Sequence, residues 1–248
     1  MSILENELAS NFHGFRADWT AQAVENWKAL ESLKIYEESY RRIACLHALK
    51  NEIVLPNFSE GSAAFFLEAH NDALVSHVNA FSGSWRSALQ ALRSCIENTL
   101  NAIYYKDHPV ELELWSRGAF RLGYTELFSY LERHPRLAGF SDAETGLQSI
   151  DREYSTLSRA VHASAANFRM TDKAAAVLLW DTDKAKANSW AAREIKVIEG
   201  ISLILAFLFA DRLTSTQLPA LRTMMSFAVS ASKRSVLKKK LKITISPP

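Results

Sequence analysis

One segment of the sequence repeats apolar side chains at the period of an α-helix over about six turns. Between Trp85 and Tyr105 the apolar residues follow one another at steps of three and four, so they fall on one face of a helix. The residues of this stripe are Trp85, Leu89, Leu92, Ile96, Leu100 and Ile103. This pattern predicts a long helix with one face packed against a core.

The rest of the chain carries further helical patterns and few residues that break them. The sequence has 8 glycines and 6 prolines in 248 residues, which is sparse for a sandwich or barrel with many tight turns. A second amphipathic helix is predicted from Ile150 to Ala165, with a capping box at Ser141 and Glu144 before it. Other helices are predicted near residues 18–51, 62–80, 109–116, 125–133, 183–213 and 217–230, while 174–180 fits a short strand or a helical turn. We therefore expect an all-α fold, a bundle of about seven to eight helices.

Charge is distributed unevenly along the chain. The formal net charge is +2, yet no acid follows Arg212, and eight bases lie from that residue onward. They are Arg212, Arg222, Lys233, Arg234, Lys238, Lys239, Lys240 and Lys242. An acidic body with a basic end favours an anionic partner such as RNA, DNA or an acidic protein face, and a solvated tail is the alternative. Three segments are expected: a helical extension (1–60), a helical bundle (61–231) and a basic tail (232–248).

The sequence also indicates where the protein works. Its first ten residues hold two acids and no basic stretch, unlike a secretory signal. The most apolar segment, 197–210, is too short and too interrupted to span a membrane and is predicted to be a buried helix. Cys45 and Cys95 lie in helical patterns, which favours reduced thiols, although a disulfide between them stays open. We expect a cytoplasmic protein without a membrane segment.

Familiar catalytic and cofactor motifs are missing from the sequence. It contains no HExxH, CxxC, GxxxxGK[ST], GxGxxG or GxSxG. His70 and His77 are seven residues apart and fit one helix face, but two helical histidines are more often packing residues than metal ligands. We therefore predict no metal and no cofactor, and a Ser-His-Asp hydrolase stays open because its members need not be close in sequence.

Two of the predicted helices place polar residues at the border of their apolar stripes. Arg93 and Glu97 are one turn apart on the first, and Ser158 and His162 are one turn apart on the second. If these helices pack as a central antiparallel pair, the four side chains converge together with Asn98. The two helices are then direct neighbours, and Leu92 and Ile96 are nearly fully buried.

The converging residues fit cleavage of RNA without a metal. That reaction needs an acid, a base and a cation for the phosphorane charge; histidine titrates near neutral pH, and arginine binds phosphate through a planar fork. The predicted catalytic residues are Arg93, Glu97 and His162, and the predicted binding residues are Asn98, Ser158, Arg159, Lys238, Lys239 and Lys240. The alternative is an ordinary ion pair at one helix turn and a packing histidine.

Both helices resemble a known family. The segment 84–98, followed by two tyrosines at 104 and 105, resembles the LRS..EN.L..YY helix of divergent HEPN-type and abortive-infection-like proteins, and 154–164 resembles their later Y..LS..VH.S helix. The resemblance covers about 62–210. It implies a helical bundle, frequent dimerisation and, in active members, metal-independent RNA cleavage by an Arg and a His.

The sequence departs from the pattern of active members in one respect. Those carry the Arg and the His on one helix with four to six residues between them, usually with a polar residue just after the Arg. Arg159 is too close to His162 for this spacing. Arg42 and His47 have the spacing, but apolar Ile43 follows the arginine and the pair lies outside the resembling region.

Two functions are therefore expected. The first is a HEPN-like effector or toxin component of a bacterial antiviral system, a homodimer that acts on or binds RNA and has a protein partner in that system. The second is a non-catalytic helical module that binds a protein partner or nucleic acid.

Overall fold

The computed structural model describes residues 2–162, 171–172, 176–177, 180, 182–214 and 218–247. Its helices are α1 (Ile3–Leu30), α2 (Lys34–Leu49), α3 (Leu55–Asn57), α4 (Glu60–Phe81), α5 (Trp85–Asp107), α6 (Pro109–Ser116), α7 (Tyr124–Glu132), α8 (Asp142–Thr145), α9 (Leu147–Val161), α10 (Lys184–Leu208), α11 (Ala210–Thr214), α12 (Pro219–Met225) and α13 (Ala231–Leu241). A π-helix, Lys50–Val54, joins α2 to α3, and β1 (Thr171–Asp172) pairs antiparallel with β2 (Ala176–Val177). The all-α prediction is confirmed, and the described residues form more helical segments than the seven or eight expected.

The first helix begins earlier than predicted. The sequence pattern was expected to form one helix from Asp18 to about Asn51; the helix instead begins at Ile3 and is interrupted between Leu30 and Lys34, while α2 ends at Leu49, close to the predicted end. Ser2 is the N-cap of α1: its hydroxyl accepts a hydrogen bond from the Glu5 amide, and the Glu5 carboxylate accepts one from the Ser2 amide. This reciprocal capping box fixes the helix start fifteen residues before the predicted one.

The core is built around α5 and α10. Helices α4 and α5 form a hairpin that packs along its length, and α9 packs on another side of α5. The prediction that α5 and α9 are direct neighbours is confirmed for the described part of α9, and Leu92 and Ile96 are 0% exposed; Ala165, the predicted end of that helix, lies outside the described residues. Helix α10 contacts α2, α5 and α9, which explains its long apolar run.

In the part of the chain that the structure describes, no helix is long and apolar enough to cross a membrane.

All three predicted segments contribute to one hydrophobic core. Leu46 and Leu49 of α2 come from the expected extension, and Leu237 and Ile243 come from the expected tail; all four are buried in the same cluster as the α5 stripe. The basic end is therefore a helix anchored on the body. Residues 60 and 232 do not mark boundaries between separately packed units.

Two glycines set the contact between α9 and α10. Gly146 precedes α9 with φ of 90°, a conformation that favours glycine. A Cβ on Gly146 would lie 2.8 Å from the Gly200 carbonyl oxygen, and a Cβ on Gly200 would lie 2.8 Å from the Ile150 side chain. The close approach of the two helices therefore depends on having no side chain at either position.

Candidate functional site

Two hydrogen bonds fix the register of the antiparallel α5–α9 pair. Near the start of α5, the Arg86 guanidinium donates to the Val161 carbonyl over 2.6 Å. Two turns further along α5, Arg93 donates to the Tyr154 hydroxyl over 2.9 Å. The C-terminal end of α9 therefore lies against the N-terminal end of α5.

Arg93, Glu97 and Tyr154 form a closed triangle of hydrogen bonds, called here the seam triangle. Arg93 and the Tyr154 hydroxyl each donate to the same Glu97 carboxylate oxygen, both over 2.8 Å. The Arg93 guanidinium carbon also lies 5.1 Å from the centroid of the Tyr154 ring, a cation–π distance. The side chains of Arg93 and Glu97 are 25% and 33% exposed, so the triangle lies at the edge of the core. The sequence predicted the ion pair and missed the tyrosine.

A second aromatic ring holds Tyr154 in place. The ring of Tyr124 stacks on it in parallel, with 3.4 Å between the centroids, and the Tyr124 hydroxyl donates to Asp151. Burial raises the pKa of the Tyr154 phenol, and the Glu97 carboxylate raises it further, while Arg93 opposes the shift. Tyr154 is therefore a protonated donor at neutral pH.

The structure does not bring His162 to the seam triangle. His162 caps the C-terminal end of α9 and is exposed, about 12 Å along the helix axis beyond Tyr154. Among the described residues no hydrogen bond joins it to Arg93, Glu97 or Asn98. The antiparallel register explains the separation, because it places the end of α9 beside the start of α5.

The remaining predicted residues of these two helices are dispersed. Asn98 donates to Asp72 on α4 over 2.8 Å, so its side chain points away from α9. The Ser158 hydroxyl is buried, and none of the described residues forms a hydrogen bond with it. Arg159 is exposed, with its guanidinium 3.4 Å from the Thr156 hydroxyl.

The three predicted lysines lie together on α13. Lys238 and Lys239 are exposed, and Lys240 pairs with Glu144 over 3.1 Å. Lys242 caps the helix and is also exposed.

The two histidines considered as metal ligands lie in different surroundings. The His70 ring contacts His47, with 5.4 Å between the centroids, whereas Nδ1 of His77 lies 3.0 Å from the Ser39 hydroxyl. Within the described ranges, no group of three or more His, Cys, Asp or Glu side chains is arranged to hold a metal ion. Both cysteines are buried free thiols.

A buried ionic network went undetected in the sequence. Glu194 on α10 accepts a hydrogen bond from Arg42 over 2.7 Å and another from Ser39 over 3.1 Å. The side chains of Arg42 and Glu194 are 7% and 1% exposed. Burial raises the pKa of Glu194 to about 7, although Arg42 and Ser39 both act to lower it. Since Arg42 points into the core and His47 is exposed, the Arg42–His47 spacing does not produce a shared site.

Comparison with family models, with curated protein sequences and with solved structures finds no match to this chain. The resemblance to HEPN-type proteins is concentrated in the sequence segments 84–105 and 154–164.

Proposed function

We propose that this protein binds RNA through α13, as a HEPN-like component of a bacterial antiviral system acting in the cytoplasm. The observation that carries the proposal is a basic face formed by three exposed lysines, Lys238 and Lys239 on the anchored helix α13 and Lys242 at its C-cap. Leu237 and Ile243 are fully buried and hold this helix to the body.

An anchored basic face suits the binding of phosphates. Lysines that share one short helix are held at fixed spacing, so several phosphates of one strand can be neutralised together, and each contact releases counterions. No carboxylate from the same segment reduces the positive charge of this face, because no Asp or Glu follows Arg212 in the sequence. The pairing of Lys240 with Glu144 directs that side chain toward the body and leaves the other three for a ligand.

Replacing Lys238, Lys239 and Lys242 by glutamine is expected to weaken RNA binding and to reduce its dependence on salt. Each lost phosphate contact on a single strand lowers the slope of log K against log salt by about 0.7, so the triple variant should lose roughly two from the slope. Fluorescence anisotropy with a labelled single-stranded RNA over a salt series measures both quantities. Substitution is preferable to truncation, since removing residues 232–248 would take Leu237 and Ile243 from the core.

The matched control replaces three exposed bases elsewhere, Lys34, Arg133 and Lys184, by glutamine. This variant has the same change in net charge and should keep most of the affinity. Equal losses in both triple variants would mean that net charge, not α13, governs binding. A wild-type protein that binds no RNA at low salt would refute the proposal.

RNA cleavage at the seam triangle is a second candidate function. The observation in its favour is a partly exposed Arg93 guanidinium beside a carboxylate and a phenol, so that a phosphate-binding cation and two proton-transfer groups are adjacent. Glu97 is suited to accept a proton, and Tyr154 to donate one. His162 has no part in this arrangement because it lies two turns away.

If the protein cleaves RNA, Arg93→Ala is expected to lower the rate about 10²–10⁴-fold, whereas His162→Ala should leave the rate nearly unchanged. Rates are measured on a labelled RNA, with thermal melting of each variant as the check on folding. Loss of cleavage in a stably folded His162→Ala variant would contradict the seam triangle as the site and restore the role that the sequence suggested for this histidine.

A further inference from the structure

The N-terminal half of α1 is a helix whose side chains the body does not cover. Every residue from Ser2 to Gln22 is exposed, and the buried residues of α1 are Asn26 and Leu30 near its other end. Asn26 is fastened to the body by a hydrogen bond to the Ser82 carbonyl. The helix is about 42 Å long. Because its buried residues are near its C-terminal end, it is attached to the body there and uncovered over most of its length.

The uncovered part carries a continuous apolar stripe. Its residues are Leu4, Leu8, Phe12, Phe15 and Trp19, each between 46% and 63% exposed. Their spacing of four, four, three and four places them on one face of the helix. The same face continues to Asn26 and Leu30, where α1 packs on the body. The described structure therefore covers this face at one end and leaves it open at the other.

An amphipathic helix of this kind is stabilised mainly by what packs on its apolar face. Among the residues that the structure describes, the aromatic contact of the stripe with the body is at Trp19, whose ring lies 5.4 Å from that of Trp180. Gly14 further weakens the helix, because glycine in a helix interior loses more conformational entropy on folding than other residues do. A contiguous exposed apolar surface on such a helix marks an interaction site.

We propose that the stripe is covered by α1 of a second copy of this chain, in an antiparallel pair. Two charged residues on one flank of the stripe, Glu5 and Arg16, identify this occupant. In an antiparallel pair related by a two-fold axis, the same flank of each helix faces its counterpart. With the axis between residues 10 and 11, Glu5 of each copy faces Arg16 of the other, which gives two equivalent ion pairs.

This register also avoids repulsion on the other flank. Glu7 there comes level with Gly14 of the second copy, and Asp18 comes level with Ile3, so no like charges meet. Leu8 and Phe12 lie nearest the two-fold axis and form the centre of the contact. A parallel pair would instead bring opposite flanks together and leave Glu5 and Arg16 far apart.

The surface available is sufficient for a dimer. Covering five large side chains that are about half exposed buries on the order of 500 Å² of apolar surface per copy. Flanking polar residues bring the contact toward the roughly 800 Å² per partner of a standard interface.

The test measures the mass of the full chain by light scattering during size-exclusion chromatography. Wild type is expected to be a dimer at micromolar concentration, and Leu8→Glu/Phe12→Glu a monomer that keeps a cooperative unfolding transition of the body, since neither residue belongs to the core. Ala21→Glu/Val24→Glu is the matched control: it places two glutamates at exposed positions on the opposite face of α1 and should remain dimeric.

A charge exchange tests the register and does not depend on the stripe variants. Glu5→Arg alone and Arg16→Glu alone should each weaken the dimer by roughly three- to tenfold. Because Glu5→Arg also removes the capping box of α1, recovery is judged against that variant: the double variant should form a stronger dimer than Glu5→Arg alone. A monomeric wild type, or a dimer that survives Leu8→Glu/Phe12→Glu, would overturn the proposal. Failure of the double variant to recover the dimer would rule out this antiparallel register.

Discussion

Between about pH 5 and about pH 8, the free energy of unfolding of the wild-type protein is expected to fall by up to about 3 kcal/mol relative to that of a Glu194→Gln variant. Burial raises the pKa of Glu194 to about 7, whereas the same carboxyl in the unfolded chain titrates near its ordinary value of 4.5. Between these values the folded state binds more protons than the unfolded state. The stabilisation that comes from the raised pKa of Glu194 is therefore fully present below about pH 4.5 and is lost as the pH rises through 7.

The comparison of two proteins is needed because histidines titrate in the opposite sense. Burial lowers the pKa of His70 to about 4 and lowers that of His77, so both destabilise the fold as the pH falls. These contributions are largely common to wild type and variant. Urea unfolding at a series of pH values gives the difference.

Glu37→Gln is the matched control for this experiment. Glu37 also pairs with an arginine, Arg41, but on the surface of α2, where both side chains are more than half exposed. Its removal should change stability little at any pH. If the Glu194→Gln and wild-type curves run parallel from acid to alkaline pH, Glu194 does not titrate as the structure implies.

Trp190→Ala is expected to destabilise the protein by about 3–5 kcal/mol. The Trp190 side chain is 1% exposed and stacks on the Tyr36 ring with 5.8 Å between centroids. Its indole N–H donates to the Ser76 hydroxyl over 2.9 Å, and that hydroxyl donates to the Ala88 carbonyl. Truncation therefore opens a large cavity between α2, α4, α5 and α10 and removes a buried hydrogen bond. Urea unfolding at neutral pH measures the change.

Trp27→Ala provides the comparison, since Trp27 is 44% exposed on α1 and lies off the apolar stripe. The same chemical change should there cost a small fraction of the Trp190 value. Similar losses at the two positions would show that Trp190 is not a centre of the core packing.

The elements that the sequence predicted are those defined by local spacing. The α5 stripe and the Arg93–Glu97 pair each depend on residues three or four positions apart on one helix, which the period of the helix fixes. The start of α1 is also local, and the Ser2–Glu5 capping box was the signal for it. The predicted helix instead began at Asp18 and ran on into α2, because the apolar spacing continues across residues 31–33 and does not show the break between the two helices.

The elements that escaped prediction depend on packing between distant segments. Tyr154 reaches Arg93 across 61 residues, and Arg42 reaches Glu194 across 152. The position of His162 follows from the register of α9 on α5, which the Arg86–Val161 hydrogen bond fixes and which no single-helix pattern contains. Sequence spacing thus located the polar residues of each helix and left open which of them meet.

The close approach of α9 and α10 restricts how this sequence can diverge. A methyl group added at Gly200 meets the Ile150 side chain, and one added at Gly146 meets the Gly200 backbone. A smaller residue at position 150 removes the closest contacts of an alanine at 200 and leaves the Gly146 carbonyl oxygen 3.3 Å away. A side chain at 146 meets backbone atoms of Gly200 and is also disfavoured by the φ of 90° at that position. Among descendants of this chain, a larger residue at position 200 should therefore occur together with a smaller one at position 150. Position 146 should stay glycine as long as the two helices keep their spacing.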